Sequence, residues 1–439
     1  MTGAAGVGRV TDPGPVSDPQ LQFYFLDQMT TDRREYILGI TLVLTGAVDL
    51  DRLAAAGRSV VARHESLRFQ FVETADGLGR VVLPPDDFEV VRHDLTGVPD
   101  GKERLTALYD RVCDHDIVIG GGYLFRMHLV RLAADRTVLM LVMHHIVTDG
   151  WSCELMLDEF SQHYRTGRPP EGTPPGYGVY LDWERRCRTG GAWDRDLDYW
   201  RRQLRDAPAE STFRRDRRRP AVRTTAAGRM NVDLAPVGST ALRDAAIGHG
   251  TSPLVLLVAA VMLVLNRLTA EDDLVVGVAT SGRLDADLHE LVGLCVNTVP
   301  VRCEVVDGTP VASVLDAVRD SLLDAYEHSA LPFTRVVEAA GVPHTPSRTP
   351  LYQVMVAYHE GTYADCLDID GVDVAEWELA APVVQCDATF DVVAQPSGDL
   401  SLDISFSTDV FTERAARGWA EECRAVLGEL LGGGGPPAP

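Results

Sequence analysis

The segment LVMHHIVTDGW (141–151) places two adjacent histidines at the end of an apolar stretch and an Asp-Gly pair shortly after them. A neutral imidazole, with a pKa near about 6.5, is the natural base for an amine or alcohol nucleophile at neutral pH. Gly150 lets the backbone come close to a ligand, and its N–H could donate to a developing oxyanion. The segment therefore predicts a base beside an oxyanion donor.

Only one of His144 and His145 can face a pocket if the strand continues through both, because successive side chains on a strand point to opposite faces. The other imidazole would then support the structure. For an isolated His-His pair, two satisfied core histidines are the alternative without chemistry. A zinc site would need three converging nitrogen or oxygen ligands. The local set of His144, His145 and Asp149 does not favour that geometry, and we expect no metal.

Two regular elements must position this segment. The continuous apolar run TVLMLVMHH (137–145) predicts a strand that is covered on both faces. Beyond the Asp-Gly pair, Ser152 could cap a helix that ends near Gly167. The helix would bury the apolar residues Leu155, Met156, Leu157 and Phe160.

Length and charge restrict the class of protein. A chain of 439 residues suggests two or three domain-sized units. Its net charge of −23 argues against nucleic acid or an anionic membrane as the main partner, since both need a basic surface. The longest apolar run, Leu254–Leu265, is shorter than the roughly 20 residues of a membrane span, so a buried helix is expected.

Cysteine usage and the N-terminus point to the cytoplasm. The eight cysteines form no CxxC pair, and their spacing suits neither a zinc site nor a small disulfide scaffold. A reduced, cytoplasmic protein is the simplest interpretation. The N-terminal residues lack the basic and apolar regions of a signal peptide.

Composition divides the chain into two α+β halves. Residues 1–18 are rich in Gly, Pro and Asp and are predicted to be mobile, and 19–205 form the N-terminal lobe. A basic segment, 206–228, is predicted to be a linker. Its RRDRRR run could bind an acidic partner, and the alternative is a solvated connector. The C-terminal lobe, 229–432, repeats the same pattern and ends in a Gly/Pro tail, 433–439.

Three elements of the second half are predicted from local pattern. A buried helix covers 252–268, and the strand DDLVVGVAT follows at 272–280. The segment ATFDVVAQPSGDLSLDISFS predicts a hairpin that turns at Ser397-Gly398-Asp399.

The segment MHHIVTDGWS (143–152) resembles the active-site motif of the condensation domains of nonribosomal peptide synthesis. These domains belong to the chloramphenicol-acetyltransferase-like acyltransferase superfamily. Further stretches match that family in order; in the first, Pro19 replaces the usual Ala and the usual Arg after Gln20 is changed. They are SDPQLQFYFLDQ (17–28), RHESLRFQF (63–71), YLDWERR (180–186) with YWRRQL (199–204), VATSGR (278–283), GLCVNTVPVR (293–302), HSALPFTRVVE (328–338) and PSRTPLYQVMV (346–356).

By position, the resemblance assigns catalysis to His145, with Gly150 beside it, and a structural role to His144. It implies that Asp149 forms a buried pair with Arg283 instead of touching substrate. The implied fold has two chloramphenicol-acetyltransferase-like lobes in a V-shaped pseudo-dimer, with the active site in a tunnel between them.

Four residues are candidates for lining that tunnel: Trp151, Ser152, Asn297 and Gln353. Gln353 is the polar candidate for the acceptor side. A solvated or strand-bonded glutamine is its alternative.

The resemblance implies acyl transfer from a thioester on a carrier protein's phosphopantetheine to an amine or alcohol acceptor. No cofactor would be bound by the enzyme itself, and no cysteine lies in a nucleophile motif. We find neither an adenylation signature nor a carrier motif, which predicts a free-standing enzyme of natural-product (antibiotic-type) biosynthesis that meets its carrier in trans. The motif does not decide between amide and ester products.

Four rival functions remain to be compared. An epimerase of the same superfamily adds a glutamate-bearing motif that the second half does not show, and a heterocyclising relative would carry aspartates in place of His144 and His145. A non-catalytic module that recruits a carrier or tailoring enzyme usually has a broken histidine motif, whereas this one is whole. A transferase using coenzyme A in place of a carrier is the fourth.

Overall fold

The computed structural model describes residues 13–30, 32–235, 237–306, 308–343, 345–379 and 383–432. Residues 1–12 of the predicted mobile segment and the predicted tail 433–439 lie outside the described residues. Within the described part, Asp18 already begins the first helix.

Helices and strands are interspersed through the described part of the chain. The helices are α1 (Asp18–Met29), α2 (Leu50–Arg63), α3 (Gly101–Arg111), α4 (Gly150–Thr166), α5 (Gly178–Thr189), α6 (Ala192–Gln203), α7 (Ser239–Gly248), α8 (Pro253–Thr269), α9 (Val311–Glu327), α10 (Phe333–Ala340), α11 (Tyr363–Cys366) and α12 (Glu413–Gly432). The strands are β1 (Ile37–Thr45), β2 (Phe69–Thr74), β3 (Gly77–Val82), β4 (Val90–Asp94), β5 (Phe125–Ala133), β6 (Arg136–His144), β7 (Ala227–Asp233), β8 (Asp273–Thr280), β9 (Asn297–Glu304), β10 (Val354–Glu360), β11 (Asp373–Glu376), β12 (Ala388–Ala394) and β13 (Leu400–Ser407).

The elements form two compact α+β units, each discontinuous in sequence. The first contains residues 13–186, 283–295 and 363–379, and the second contains 187–282, 296–362 and 383–432. This division differs from the linear lobes that the sequence predicted. Two segments of the second half return to the first unit because β11 pairs with the edge of β1 and because Arg283 forms an ion pair with Asp149.

The first unit has a five-stranded sheet in the order β11-β1-β6-β5-β4 and a separate β2-β3 hairpin. β6 is antiparallel to both neighbours and is buried from Thr137 to His144. Leu139, Leu141 and Met143 face a core that includes residues of α2 and α4. The prediction of a strand covered on both faces is confirmed, and it gives His144 a rigid support.

The second unit has a six-stranded sheet in the order β7-β13-β12-β10-β8-β9. Its core includes most of α8, which begins at the predicted place with Ser252 as N-cap. The predicted strand (β8) and hairpin (β12–β13) are also confirmed. In the described part of the chain, no single helix has the length and apolarity of a membrane span, although α7 and α8 meet that criterion when joined across a bend of 92°.

Residues 206–228, the predicted linker, belong to the second unit, and part of the segment packs into it. Ser211 and Phe213 are buried, and Arg219 donates to Asp387 at 2.7 Å. Both partners of that ion pair are almost fully shielded from solvent. Residues 214–218, which include most of the basic run, are exposed, so the segment is partly packed and partly solvated, and its role as a linker stays a prediction.

Candidate active site

The two histidines are separated by the end of β6. His144 is the last residue of the strand, His145 begins a 3₁₀ turn (His145–Val147), and α4 begins at Gly150. The predicted alternation requires a strand that continues through both residues. The strand does not, because β6 ends at His144. The turn still gives them different surroundings, since His144 is 1% exposed and His145 is only partly buried.

His145 is a neutral imidazole with its proton on Nδ1. Nδ1 lies 2.8 Å from the carbonyl oxygen of Thr148, which can only accept, so Nδ1 must donate and Nε2 carries the lone pair. Burial lowers the pKa of His145 below 6.5, and the nearby Asp149 carboxylate only partly opposes that shift. The Phe23 ring packs against the imidazole with 5.0 Å between centroids. At neutral pH, Nε2 of His145 thus has a lone pair that can accept a proton.

His144 has the opposite tautomer. Its Nδ1 accepts the N–H of Ile146 at 3.0 Å, and its Nε2 lies 3.4 Å from Oδ1 of Asp27. Because Nδ1 is an acceptor, the ring proton must be on Nε2, directed at the carboxylate. The lone pair of His144 is therefore engaged by the backbone, and this imidazole is not available as a base.

Asp149 is surrounded by donors. Arg283 binds it through two hydrogen bonds, Nη1 to Oδ2 at 2.9 Å and Nη2 to Oδ1 at 3.0 Å, and both side chains are 1% exposed. The N–H of Cys295 donates to Oδ2 at 2.9 Å. Burial alone would raise the pKa of Asp149, but Arg283 and the other donors hold it below its usual value. The ion pair implied by the resemblance is present, and it lies within the first unit.

Ser152 belongs to this ion-pair network and is fully buried. Its N–H and Oγ donate to Oδ1 of Asp149 at 2.9 and 2.7 Å, and its Oγ accepts from Arg283 and from the N–H of Gly293. Asp149, and not Ser152, is therefore the N-cap of α4, which corrects the predicted cap. The predicted C-terminal end at Gly167 is confirmed, with φ at +69°. These contacts do not support the predicted role of Ser152 toward substrate.

Gly150 and Trp151 begin α4 next to the ion pair. The N–H of a first helical residue has no intrahelical acceptor, and the helix N-terminus carries a partial positive charge. A Cβ at Gly150 would meet only the Tyr363 hydroxyl, at an ordinary 3.6 Å, so the fold does not require glycine there. Trp151 is 43% exposed, and its Nε1 donates to the carbonyl of His289.

Asn297 and Gln353 lie in the second unit and use their amides for its backbone. Asn297 donates to the carbonyls of Ser329 and Leu331. Gln353 is fully buried, accepts the N–H of Ser211 at 2.6 Å and donates to the carbonyl of Thr349 at 3.0 Å. A strand-bonded glutamine is one predicted alternative to a tunnel-lining role for Gln353, and its backbone contacts agree with that alternative. These contacts give no support to a substrate role for Asn297 or Gln353.

Sequence reasoning missed Thr148, Phe23 and Asp27. A signal for the last two exists in FYFLDQ, where Phe23 and Asp27 are four residues apart and so share one helix face. Among the described residues, no group of three or more His, Cys, Asp or Glu side chains could hold a metal ion.

Comparison with known proteins extends over the whole chain. The family model described as the condensation domain matches residues 10–434. Malpinin synthetase of Mortierella alpina is 30% identical over 403 residues, which are 90% of this chain but only 5% of that protein. The chain thus spans a small part of the relatives that it matches.

Two solved structures resemble both units. The condensation domain of the monacolin K polyketide synthase has a TM-score of 0.84 at 22% identity, covering 97% of this chain and 98% of that one. The X-domain from teicoplanin biosynthesis, solved in complex with OxyB, has a TM-score of 0.81 at 24% identity, covering 98% and 96%. These likenesses confirm the fold class that the sequence motifs implied.

Proposed function

The chain belongs to the condensation-domain family, and from that premise we propose that it moves an acyl or aminoacyl group from a carrier-bound phosphopantetheine thioester to an amine or alcohol. Family membership gives a bond-forming condensation role in natural-product biosynthesis. The carrier-bound donor and the nature of the acceptor are the proposed parts. We expect no cofactor beyond these reactants, and a cytoplasmic location stays a prediction.

The tautomer of His145 is the observation that carries the proposal. With Nδ1–H donated to Thr148, Nε2 presents its lone pair. In the proposed step the acceptor N–H or O–H gives its proton to Nε2 while the acceptor atom bonds to the thioester carbon. Collapse of the tetrahedral intermediate breaks the C–S bond, and the departing thiolate takes the proton back. A positioned base of this kind typically contributes about 10²–10⁴ in rate.

The positive charge on the imidazolium has a partner in the same turn. The Asp149 carboxylate raises the pKa of His145 against the effect of burial, which stabilises the protonated ring during the step. The carboxylate is itself held by Arg283, Ser152 and the N–H of Cys295. Asp149 therefore acts by charge and by fixing the start of α4, and we assign it no direct contact with substrate.

The start of α4 supports the assignment of Gly150 to the oxyanion. Its N–H belongs to the group of helix N-terminal donors that have no intrahelical acceptor. Preorganised donors at a developing oxyanion cost no reorganisation during the reaction. The absence of a side chain at 150 would allow the thioester carbonyl to approach this N–H.

The recruiting module remains the second candidate, because the structurally similar X-domain was solved as a complex with another protein, OxyB. The intact histidine pair and the neutral tautomer of His145 favour catalysis in this chain. The two functions differ in one measurable respect, since only the enzyme forms a new acyl bond.

Donor and acceptor panels test the proposal. The protein is incubated with acyl-carrier and acyl-CoA forms of the same acyl groups against panels of amines and alcohols, and the products are read by mass, with no-protein reactions for the uncatalysed background. We expect protein-dependent amide or ester with the carrier-bound donor. Carrier binding without product for any pair would overturn the enzyme in favour of the recruiting module, and product from acyl-CoA alone would overturn the carrier assignment.

A further inference from the structure

One face of α1 contacts three consecutive residues where β6 passes into the 3₁₀ turn, namely His144, His145 and Ile146. The contacting residues Gln20, Phe23 and Asp27 are spaced by three and four positions, which places them on one side of the helix. Nε2 of Gln20 donates to the carbonyl of Ile146 at 3.4 Å, the Phe23 ring lies 5.0 Å from the His145 ring, and Oδ1 of Asp27 lies 3.4 Å from Nε2 of His144. The helix thus follows the turn residue by residue.

The contact of Asp27 with His144 continues into the backbone of the turn. His144 receives the N–H of Ile146 on Nδ1, which is possible only while its proton is on Nε2, and Nε2 faces the Asp27 carboxylate. Both side chains are buried, at 5% and 1% exposure. A carboxylate oxygen only accepts, so at this separation of 3.4 Å it favours the tautomer that directs the Nε2–H of His144 toward it over the one that would direct a lone pair there. Asp27 therefore selects the His144 tautomer that can hold the peptide after His145.

We propose that Asp27 is a positioning residue for the condensation reaction, acting through His144 to fix the turn that carries the His145 base. The inference rests on the proposed function of His145. His144, which faces Asp27 through Nε2, holds one side of the turn by accepting the Ile146 N–H, while the Thr148 carbonyl holds Nδ1 of His145 on the other. Small displacements of a reacting group can cost about 100-fold in rate, so a support this close to the base controls turnover.

Three substitutions at Asp27 separate positioning from stability. Asp27→Leu removes the acceptor and leaves the Nε2–H of His144 buried without its partner, so the ring can adopt the other tautomer and release Ile146. We expect kcat per folded molecule to fall about 10- to 100-fold with KM unchanged, because the proposal gives Asp27 a contact with His144 and none with substrate. Asp27→Asn keeps an oxygen that can accept the bond and should restore most of kcat. Asp27→Glu, with its longer side chain, should fall between the two.

A second histidine–carboxylate contact in the same unit provides the control. Oε2 of Glu159 lies 3.1 Å from Nε2 of His64, with both side chains largely buried. Glu159 is on α4, nine residues beyond Gly150, or about 13 Å along the helix axis. We expect Glu159→Leu to lower Tm while leaving kcat per folded molecule unchanged. An equal loss of kcat in Glu159→Leu and Asp27→Leu would reduce Asp27 to an ordinary stabilising residue and overturn the proposal.

A double-mutant cycle tests whether Asp27 acts through His144. Turnover is measured for Asp27→Leu, for His144→Gln, which keeps the bulk of the side chain, and for the double variant. We expect the double variant to be no slower than His144→Gln alone, since the intermediary is already lost. Additive losses would contradict the proposed route.

Nitrogen-15 NMR of the imidazole rings gives a readout that needs no turnover. In histidine-labelled protein, with the signals assigned by His145→Gln, we expect the wild-type His145 ring to show protonated Nδ1 and bare Nε2. Asp27→Leu should broaden or mix these signals, and Asp27→Asn should restore them. An undisturbed His145 signal in Asp27→Leu overturns the positioning role. Inactive wild-type protein whose His145 signals respond to Asp27→Leu would instead overturn only the proposed function.

Discussion

Nδ1 of His145 lies 2.8 Å from the carbonyl oxygen of Thr148, three residues later in the same turn. The backbone, and not an acidic side chain, therefore sets the tautomer of the base. A neutral acceptor stabilises the imidazolium less than a carboxylate does, so burial dominates and the pKa of His145 falls. The turn thus lowers the pKa of His145 and leaves Nε2 as the ring nitrogen that can accept a proton.

This lowered pKa predicts the acid side of the pH–rate profile. The base must be unprotonated, so kcat/KM should rise with pH up to the folded pKa of His145 and level off above it. We expect the midpoint below the ordinary value of about 6.5. The profile should be measured with an alcohol acceptor, because an amine acceptor titrates by itself. A midpoint above that value would mean that the imidazole is stabilised in its charged form and would contradict the assignment.

The buried pair of Asp149 and Arg283 predicts a loss of stability that is separate from catalysis. Removing one partner of such a pair leaves an uncompensated buried charge, which costs about 3–5 kcal/mol. We expect Asp149→Ala and Arg283→Ala each to lower the free energy of unfolding by that amount, measured by urea denaturation, and to lower activity as well.

Two further variants test the geometry of the pair. Arg283→Lys keeps the charge but cannot make both hydrogen bonds to the carboxylate, so it should recover only part of the stability. The double variant Asp149→Ala/Arg283→Ala should cost less than the sum of the single losses. Unchanged unfolding midpoints in the single variants would dismiss the pair as a structural element.

Gly150 predicts different outcomes for proline and alanine. Proline is tolerated at the first position of a helix, where its missing N–H loses no intrahelical bond, and the extended Asp149 backbone (φ −143°, ψ 179°) suits a following proline. Gly150→Pro should therefore keep Tm but lower kcat about 10²- to 10³-fold by deleting the oxyanion donor. Gly150→Ala keeps the N–H, and its Cβ fits beside Tyr363, so its kcat should fall much less.

The comparison of these two variants identifies the role of Gly150. Equal losses in kcat for Gly150→Pro and Gly150→Ala would assign the glycine to steric access and not to hydrogen bonding. A fully active Gly150→Pro would remove the residue from the reaction.

Local sequence pattern predicted the strand and the helix that carry the site, but it could not predict contacts between residues far apart in the sequence. The run that ends at His144 and the left-handed Gly167 follow from hydrophobicity and backbone preference. Asp149 and Ser152 are both good capping residues, and only the 3₁₀ turn between β6 and α4 decides between them.

Partners far apart in sequence could not be found from periodicity. Arg283 is 134 residues from Asp149, and the family resemblance alone suggested that pair. Asp27 is 117 residues from His144, and only the position of α1 against the turn reveals the contact. The same limit applies to residues 206–228, which belong to the second unit. Irregular chain can pack without any repeating pattern, so periodicity could not predict this packing.

The rate of product formation by His145→Ala, with a carrier-bound donor and a saturating acceptor, tests the central claim most directly. The claim predicts a fall of about 10²- to 10⁴-fold in kcat with the far-ultraviolet circular dichroism unchanged and only a small fall in Tm, since the substitution removes one hydrogen bond to Thr148 and the ring contact with Phe23. Turnover close to that of the wild type would show that another group removes the acceptor's proton, and the assignment of His145 as the base would be wrong.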